Sequence, residues 1–156
     1  MNSLALKSLM QHEGFSEKIY VDSTGNKTIG YGYNLDANPL RLSDYTLQKL
    51  ISAGINKAAA HELLEQQCAN IERELINKIL WWSKLSYVRQ AVFINMSYNL
   101  GVNGMLGFTK MMSAASVGRY TDAAIEMLNS RWATQVKGRS IELAYMMHSG
   151  LRVFSE

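Results

Sequence analysis

The 156-residue sequence has very little cysteine and proline, with one residue of each, Cys68 and Pro39. A single cysteine excludes an internal disulfide, so the fold depends on its core and can form in a reducing compartment. The apolar runs are too short to cross a bilayer. No export signal is visible either, because Lys7, Ser8 and Gln11 interrupt the first residues. We therefore expect synthesis in the cytoplasm without a signal peptide.

Charge is also scarce. Charged residues make up 19% of the chain, and 16 Lys and Arg against 13 Asp and Glu leave a formal net charge of +3. Such a small excess, with Lys137-Gly138-Arg139 as its longest basic grouping, does not indicate a nucleic-acid partner, although it suits an anionic polymer. The 47% of hydrophobic residues exclude disorder and are enough for one packed domain.

Metal-binding patterns are lacking too. The three histidines, His12, His61 and His148, are scattered along the chain. The stretch from His61 begins like the HExxH motif of zinc proteases, but Glu65 stands where the second histidine is needed. We predict no metal and no cofactor.

Two elements are predicted near the N-terminus. Leu6, Leu9 and Met10 recur at helical spacing, with Ser3 as a candidate N-cap and Gly14 as a stop. The β-rich runs Lys18–Val21 and Lys27–Tyr33 then flank a turn at 22–26, which predicts a hairpin. Within the second run, Gly30 and Gly32 alternate with larger residues and leave one face bare for a ligand or another backbone.

The remainder of the chain is predicted to be helical. A short helix begins at Ser43 and ends before Gly54, and Asn56 caps a long helix over 57–80. The apolar residues of the long helix follow at intervals of three and four: Ala60, Leu64, Cys68, Ile71, Leu75 and Ile79. Further helices are predicted over about 83–99, 121–128 with Thr121 as cap, and 140–148, separated by a tight loop at 99–108 and an irregular stretch at 129–139.

These elements predict an α+β, mostly helical fold that forms one domain over 1–156. A small N-terminal α+β lobe at 13–56 carries a β-hairpin or three-stranded sheet. The long helix at 57–80 joins it to a helical lobe made of 81–156 together with 1–12.

A pair of carboxylates is the first candidate for chemistry. Cleavage of a glycosidic bond requires one carboxylic acid that protonates the leaving oxygen and a second carboxylate that attacks or activates water. Glu13 at a helix end and Asp22 at the start of a turn are candidates for these roles, and Thr28 lies across the hairpin. Taken alone, Asp22 also fits an ordinary Asx turn.

The residues around this pair carry a family resemblance. They read Glu13-Gly14…Ile19-Tyr20-x-Asp22-x2-Gly25-x2-Thr28-Ile29-Gly30-x-Gly32. This string resembles the T-even phage-type lysozymes, glycoside hydrolase family 24. Later segments resemble the family in the same order: Ile94-Asn95-Met96, Gly104-Met105-Leu106-Gly107-Phe108-Thr109 and Ser130-Arg131-Trp132 followed by Gln135.

The resemblance implies the phage-type lysozyme fold and a muramidase that hydrolyses the β-1,4 bond between N-acetylmuramic acid and N-acetylglucosamine in peptidoglycan. By position, Glu13 is the general acid, while Asp22 and Thr28 hold and activate the attacking water. The family is regarded as inverting, which requires room for that water between the carboxyls.

Further residues are implied less directly by the same resemblance. Gly32 is expected to let a sugar lie against the strand. Tyr98 and Asn99 are expected to contact substrate, with Trp132 and Gln135 supporting the floor of the cleft. Trp132 fits an ordinary core aromatic equally well. The resemblance also implies that Arg139 pairs with the catalytic glutamate.

One position departs from the family pattern. A histidine commonly follows Gly-x-Gly in the family, where it forms a stabilising ion pair, and here the residue is Tyr33. The catalytic positions are intact, so this change bears on the pH dependence of stability rather than on catalysis.

Several alternatives stay open. A lytic transglycosylase cleaves the same bond without water, and an inactive peptidoglycan-binding module or a nucleic-acid binder is favoured less by these residues. The expected partner is the peptidoglycan glycan strand, with no nucleic acid, no stable membrane association and a monomeric state. The biological setting is either a phage or prophage endolysin released through a holin, or a secreted antibacterial effector.

Overall fold

The computed structural model describes residues 1–154, and these form an α+β fold that is 63% helical with one small antiparallel sheet. The predicted fold class is confirmed. The elements are, in chain order, α1 (Ser3–Glu13), β1 (Ser16–Val21), β2 (Lys27–Gly30), β3 (Tyr33–Asn34), α2 (Leu47–Ala53), α3 (Lys57–Lys78), a 3-10 turn (Trp82–Lys84), α4 (Tyr87–Leu100), α5 (Val102–Leu106), α6 (Thr109–Ser116), α7 (Tyr120–Leu128), α8 (Arg131–Val136) and α9 (Gly138–Ser149). Within this part of the chain, no helix combines the length and apolarity required to cross a membrane.

The chain divides into two compact units. One is Leu9–Gln67 and contains the sheet and α2, and the other joins Met1–Ser8 to the chain from Cys68 onward. Both divisions fall inside helices, in α1 and in α3. The lobe limits inferred from the sequence stay a prediction.

The sheet has the order β1-β2-β3, with both pairs antiparallel. Tyr20 pairs with Thr28, and Thr28 pairs with Asn34, so these three residues form one row across the sheet. Directly paired residues point to the same face of a sheet. Ile29 and Tyr33 form the next row, and both are buried. The two faces of the sheet therefore differ in chemistry. The row through Thr28 carries hydroxyl and amide groups, whereas Ile29 and Tyr33 belong to the hydrophobic core.

The second predicted strand is shorter than expected. It ends at Gly30 rather than continuing to Tyr33. Gly30 and Gly32 both have a positive φ, 66° and 67°, which bends the chain between β2 and β3. Alternating glycines were expected to lie within one strand, but their left-handed backbone makes them the turn that creates a third strand.

Helix starts were predicted less accurately than helix ends. α1 is capped by Asn2 rather than Ser3, since Asn2 Oδ1 accepts from the Ala5 amide at 3.0 Å. α2 begins at Leu47 after a Thr46 cap, not at Ser43. Asn56 caps α3 as predicted, with its Oδ1 2.8 Å from the Ala59 amide.

The long helix follows its predicted pattern but ends at Lys78, two residues before the expected limit of 80. The six apolar positions predicted for it are all buried, five of them inside α3 and Ile79 one residue past its end: Ala60, Leu64, Cys68, Ile71, Leu75 and Ile79. Burial of one face of α3 is therefore readable from spacing alone.

The unit made of Met1–Ser8 and the chain from Cys68 onward, called the helical unit below, contains more helix than predicted. α4 begins at Tyr87 after a Ser86 cap, later than expected, while α5 occupies the predicted loop at 99–108. α6 was not predicted, and α8 lies in the stretch expected to be irregular. Thr121 is not a cap, because α7 already begins at Tyr120. α9 ends at Gly150, which is left-handed with φ 71°, as the sequence indicates.

Close backbone packing makes Gly54 a sensitive position. The Ile55 amide donates to the Glu17 carbonyl at 2.9 Å, which brings β1 against the end of α2. A Cβ built on Gly54 would lie 2.5 Å from that carbonyl oxygen, and the φ of Gly54 is +77°. Gly25 in the same unit also has a positive φ, +86°, but open space around its missing Cβ.

We expect Gly54→Ala to destabilise the protein more than Gly25→Ala. Gly25→Ala adds only the penalty of a left-handed alanine, about 1–2 kcal/mol. Gly54→Ala adds a clash with backbone, so its loss of unfolding free energy should be greater by at least about 1 kcal/mol. Urea denaturation of both variants measures the difference. Equal losses would show that β1 moves away from the added methyl group without a loss of unfolding free energy.

Candidate active site

Glu13 ends α1 and lies half-buried against Gly32. A Cβ on Gly32 would approach within 2.5 Å of Glu13 Oε2 and 2.8 Å of its carboxyl carbon. On Gly30, a Cβ would meet the Cβ of Ala60 at 3.0 Å. The space left by the two glycines is thus occupied by protein side chains, and at Gly32 the occupant is the carboxylate of the predicted acid.

Asp22 follows β1 directly and opens the turn to β2. Its Oδ1 accepts three hydrogen bonds, from the Thr24 amide at 2.9 Å, the Thr24 hydroxyl at 2.8 Å and the Asn26 amide at 2.9 Å. The Asn26 amide and then the Thr24 hydroxyl lower the pKa of Asp22 below its ordinary 3.8. The Asx turn considered from the sequence is therefore present, and it keeps the carboxylate ionised.

Thr28 lies in β2 and is buried, with 3% of its surface exposed. Its Oγ1 donates to the Asn26 carbonyl at 2.9 Å. Asn26 therefore joins the two predicted residues, since its amide donates to Asp22 and its carbonyl accepts from Thr28. A hydroxyl has one proton, so any further hydrogen bond to Thr28 Oγ1 has to be one that it accepts.

Tyr20 is a residue for which the sequence suggested no role, although it belongs to the quoted string. It pairs with Thr28 across the two strands. Burial raises the pKa of the Tyr20 phenol, and the negative charges of Glu13 and Asp22 raise it further. Both carboxylates thus act on one phenol, which places Glu13, Tyr20 and Asp22 in a common electrostatic environment within this unit. The signal that would have identified Tyr20 is its position opposite Thr28 in a hairpin.

In the helical unit, the side chains of Trp132 and Asn99 form a hydrogen bond. The indole Nε1 donates to Asn99 Oδ1 at 2.7 Å, and Trp132 is buried with 4% of its surface exposed. Phe108 packs edge-on against the indole, with ring centroids 6.1 Å apart. Trp132 therefore has the burial of a core aromatic, and its polar edge orients an amide on the surface.

A groove of about 460 Å³ runs beside this pair. Trp132 and Gln135 line it, while Tyr98, one residue before Asn99, is half-buried near the end of α4. The remaining lining residues are Leu100, Gly107, Phe108, Thr109, Lys110, Met111, Glu126, Asn129, Ser130 and Arg131. The groove presents amide, hydroxyl and both signs of charge.

Arg139 is held by a buried amide. Its Nε and Nη2 donate to Asn95 Oδ1 at 3.0 and 2.9 Å. Asn95 is fully buried and donates in turn to the Ser8 hydroxyl at 2.9 Å, which donates to the Ala5 carbonyl. These hydrogen bonds connect α1 to Asn95 in α4 and fix the orientation of the Arg139 guanidinium. The pairing of Arg139 with Glu13 stays a prediction.

Tyr33 stands at the position where the family resemblance places a histidine, and its side chain forms a neutral hydrogen bond. It is buried, and its hydroxyl donates to the Pro39 carbonyl at 2.6 Å. Burial raises the pKa of this phenol, against a smaller lowering by Arg41. The bond is therefore formed by an uncharged group throughout the neutral range.

The broken HExxH stretch forms a pair within α3. His61 Nδ1 lies 2.7 Å from Glu65 Oε1, one turn further along the helix. The residue that interrupts the zinc motif thus acts as a partner of the histidine.

Curated proteins similar to this chain include a phage T4 protein and two proteins of Dictyostelium discoideum. The chain is 26% identical to the pre-baseplate central spike protein Gp5 of Enterobacteria phage T4, over 96% of its own length and 28% of that protein. It is 25% identical to "Probable T4-type lysozyme 1" of Dictyostelium discoideum and 26% identical to "Probable T4-type lysozyme 2", in each case over 94% of this chain and 95% of the relative.

A family model gives the broader assignment. The phage lysozyme model matches residues 10–146, which include Glu13, Asp22 and Thr28 as well as Trp132 and Arg139. Nearly the whole chain is therefore covered, in agreement with the resemblance found from the quoted string. The chain belongs to the phage lysozyme family and is a glycoside hydrolase of the lysozyme type.

Proposed function

We propose that this lysozyme cleaves the β-1,4 bond between N-acetylmuramic acid and N-acetylglucosamine in peptidoglycan, by inversion at the anomeric carbon. The observation that supports the proposal is a pair of carboxyl groups in one unit that both raise the pKa of Tyr20, of which Asp22 is held ionised by its hydrogen bonds. Three hydrogen-bond donors hold Asp22 ionised. Glu13 packs on Gly32, and Glu13 and Asp22 both raise the pKa of the Tyr20 phenol.

Glu13 is the general acid in this proposal. An acid–base pair works when its two carboxyls differ in their protonation state. The lowered pKa of Asp22 makes that residue unsuitable as a proton donor near neutral pH. The acid role therefore falls to Glu13, which would protonate the leaving oxygen.

Asp22 and Thr28 hold the attacking water. The hydrogen bonds that the Asp22 side chain accepts from Thr24 and Asn26 end on Oδ1, which leaves Oδ2 to accept from a water. Thr28 has already donated its proton to Asn26, and its oxygen can accept from the same water. A water that donates to both oxygens keeps a lone pair for the anomeric carbon, as an inverting mechanism requires.

The helical unit supplies substrate contacts. Trp132 occupies the carbonyl oxygen of the Asn99 amide, which directs the amide nitrogen of Asn99 to other partners. We assign Tyr98, Asn99, Trp132 and Gln135 to binding of the glycan strand. Gly32 stays assigned to contact with a sugar and also makes room for the Glu13 carboxylate. Arg139 stays assigned a supporting role, and its guanidinium is held by Asn95.

The proposed setting is lysis of bacterial cells by a monomeric enzyme that reaches the wall through a holin or a secretion system. Its substrate is the peptidoglycan glycan strand. The net charge of +3 provides weak attraction toward an anionic wall.

We expect Glu13→Gln and Asp22→Asn each to lower the lysis rate by at least about 100-fold, because each removes one half of the acid–base pair. The amide oxygen introduced by Asp22→Asn can accept the same bonds as Oδ1, so the turn should be preserved in the folded variant. The assay is turbidity loss of outer-membrane-stripped Gram-negative cells. The matched control is Asp36→Asn, which changes another exposed carboxylate, one that accepts from the Lys27 amide at 2.8 Å.

Asp36→Asn should retain full lysis. Substantial activity in a folded Glu13→Gln variant would contradict the acid role, and a matching loss in Asp36→Asn would point to a general effect of surface charge.

The products distinguish hydrolysis from transglycosylation. We expect free reducing ends that contain one added water, with the anomeric configuration inverted immediately after cleavage. Mass spectrometry and time-resolved NMR of digested glycan strands measure both properties. Products with 1,6-anhydro ends would identify a lytic transglycosylase, and retained configuration would exclude direct attack by water.

The lowered pKa of Asp22 predicts where stability depends on this residue. Its carboxylate gains bonds on folding, so its stabilising contribution is complete above the unfolded pKa and is lost as pH falls through the lower folded pKa. The difference in unfolding free energy between wild type and Asp22→Asn should stay constant over about pH 5–7 and shrink below about pH 4. Urea denaturation across this range measures it, and a difference that already falls between pH 7 and 5 would contradict the assignment.

A further inference from the structure

Tyr20 lies among the three proposed catalytic residues. Its backbone pairs directly with Thr28, which sets the two side chains on the same face of the sheet. The Asp22 amide donates to the Asn26 carbonyl at 2.9 Å, so the ladder continues one pair beyond β1. Side chains two apart on a strand share a face, and Asp22 therefore follows Tyr20 on this side.

The hydroxyl of Tyr20 receives no hydrogen bond from the part of the chain that the structure describes, and donates none to it. Tyr33 donates to the Pro39 carbonyl, and the Tyr87 hydroxyl lies 2.7 Å from the Ser3 amide. For Tyr20, no hydrogen-bond partner exists among residues 1–154, and 38% of the residue is exposed. The phenol thus has a donor and an acceptor available beside the site.

The surrounding bonds explain why this hydroxyl is left over. Asp22 Oδ1 already accepts from Thr24 and Asn26, and the Thr28 proton is donated to Asn26. The Thr24 hydroxyl, the Asn26 amide and the Thr28 hydroxyl thus donate within the turn, while Asp22 Oδ2 and the Thr28 oxygen stay available to the proposed water. The Tyr20 phenol remains protonated in the field of two carboxylates, which suits it to donate rather than to accept.

We propose that Tyr20 contacts the substrate directly, by donating a hydrogen bond from its hydroxyl to an oxygen of the sugar whose glycosidic bond is cleaved. Hydroxyl and N-acetyl oxygens are the acceptors that such a sugar offers. The contact rests on the proposed function, because it assumes that the bond is cleaved between Glu13 and Asp22. A neutral donor is favoured at this position, since it adds no negative charge beside the two carboxyl groups.

The test is Tyr20→Phe, which keeps the ring and removes only the hydroxyl. We expect kcat/KM for soluble peptidoglycan fragments to fall about tenfold, the effect of one lost hydrogen bond to substrate. The matched control is Tyr145→Phe, another exposed phenol without a hydroxyl partner within residues 1–154, located in α9. The control should match wild type, and a Tyr20→Phe enzyme that also matches wild type would overturn the proposal.

The pH profile separates a direct contact from an indirect effect. A phenol that binds the sugar should leave the two limbs of the kcat/KM profile unmoved, with the same loss at each pH. Shifted limbs would show that Tyr20 acts through Glu13 or Asp22 and would overturn the proposal.

Binding in an inactive background distinguishes this proposal from the proposed function. Calorimetric titration of Glu13→Gln and of Glu13→Gln/Tyr20→Phe with intact peptidoglycan fragments should show about tenfold weaker binding by the double variant. The stoichiometry reports the folded fraction, so a folding defect is not mistaken for weak binding. Equal affinities would overturn the role of Tyr20, whereas glycan cleavage by Glu13→Gln itself would overturn the proposed function.

Discussion

The candidate site depends on the hydrogen bonds of the Asn26 backbone. Its amide donates to Asp22 Oδ1, and its carbonyl accepts from both the Asp22 amide and the Thr28 hydroxyl. One residue of the turn therefore sets the ionisation of the proposed base, the direction of the threonine hydroxyl and the register of the two strands. Asp22 Oδ2 is left for a water because the Thr24 amide, the Thr24 hydroxyl and the Asn26 amide all donate to Oδ1.

Glycine geometry complements this turn. Gly30 and Gly32 lie in left-handed backbone, which turns the chain from β2 into β3. Gly32 also leaves the volume that the Glu13 carboxylate occupies. The same residue thus shapes the sheet and accommodates the proposed acid, since a side chain there would displace the carboxylate. In the helical unit, the buried Asn95 also positions a charged group, because its Oδ1 accepts two hydrogen bonds from the Arg139 guanidinium.

Patterns within single segments predicted the elements that have local causes. The spacing of Ala60 to Ile79 predicted the buried face of α3, Asn56 predicted its cap, and Gly150 predicted the end of α9. The predictions failed where two local signals compete. Glycine-rich sequence at 99–108 indicated a loop, yet Gly104 lies inside α5, where packing of the buried Val102 and Met105 outweighs the low helix propensity of glycine.

Residue identity at short spacing was enough to predict the family, the α+β class and the three positions of the proposed acid, base and threonine. The partners of each group became known only from the folded chain. The pairing of Tyr20 with Thr28, the contact of Glu13 with Gly32 and the bond from Trp132 to Asn99 each join different elements. Such contacts depend on register and burial, which are settled only when the chain folds back on itself and its polar groups compete for partners.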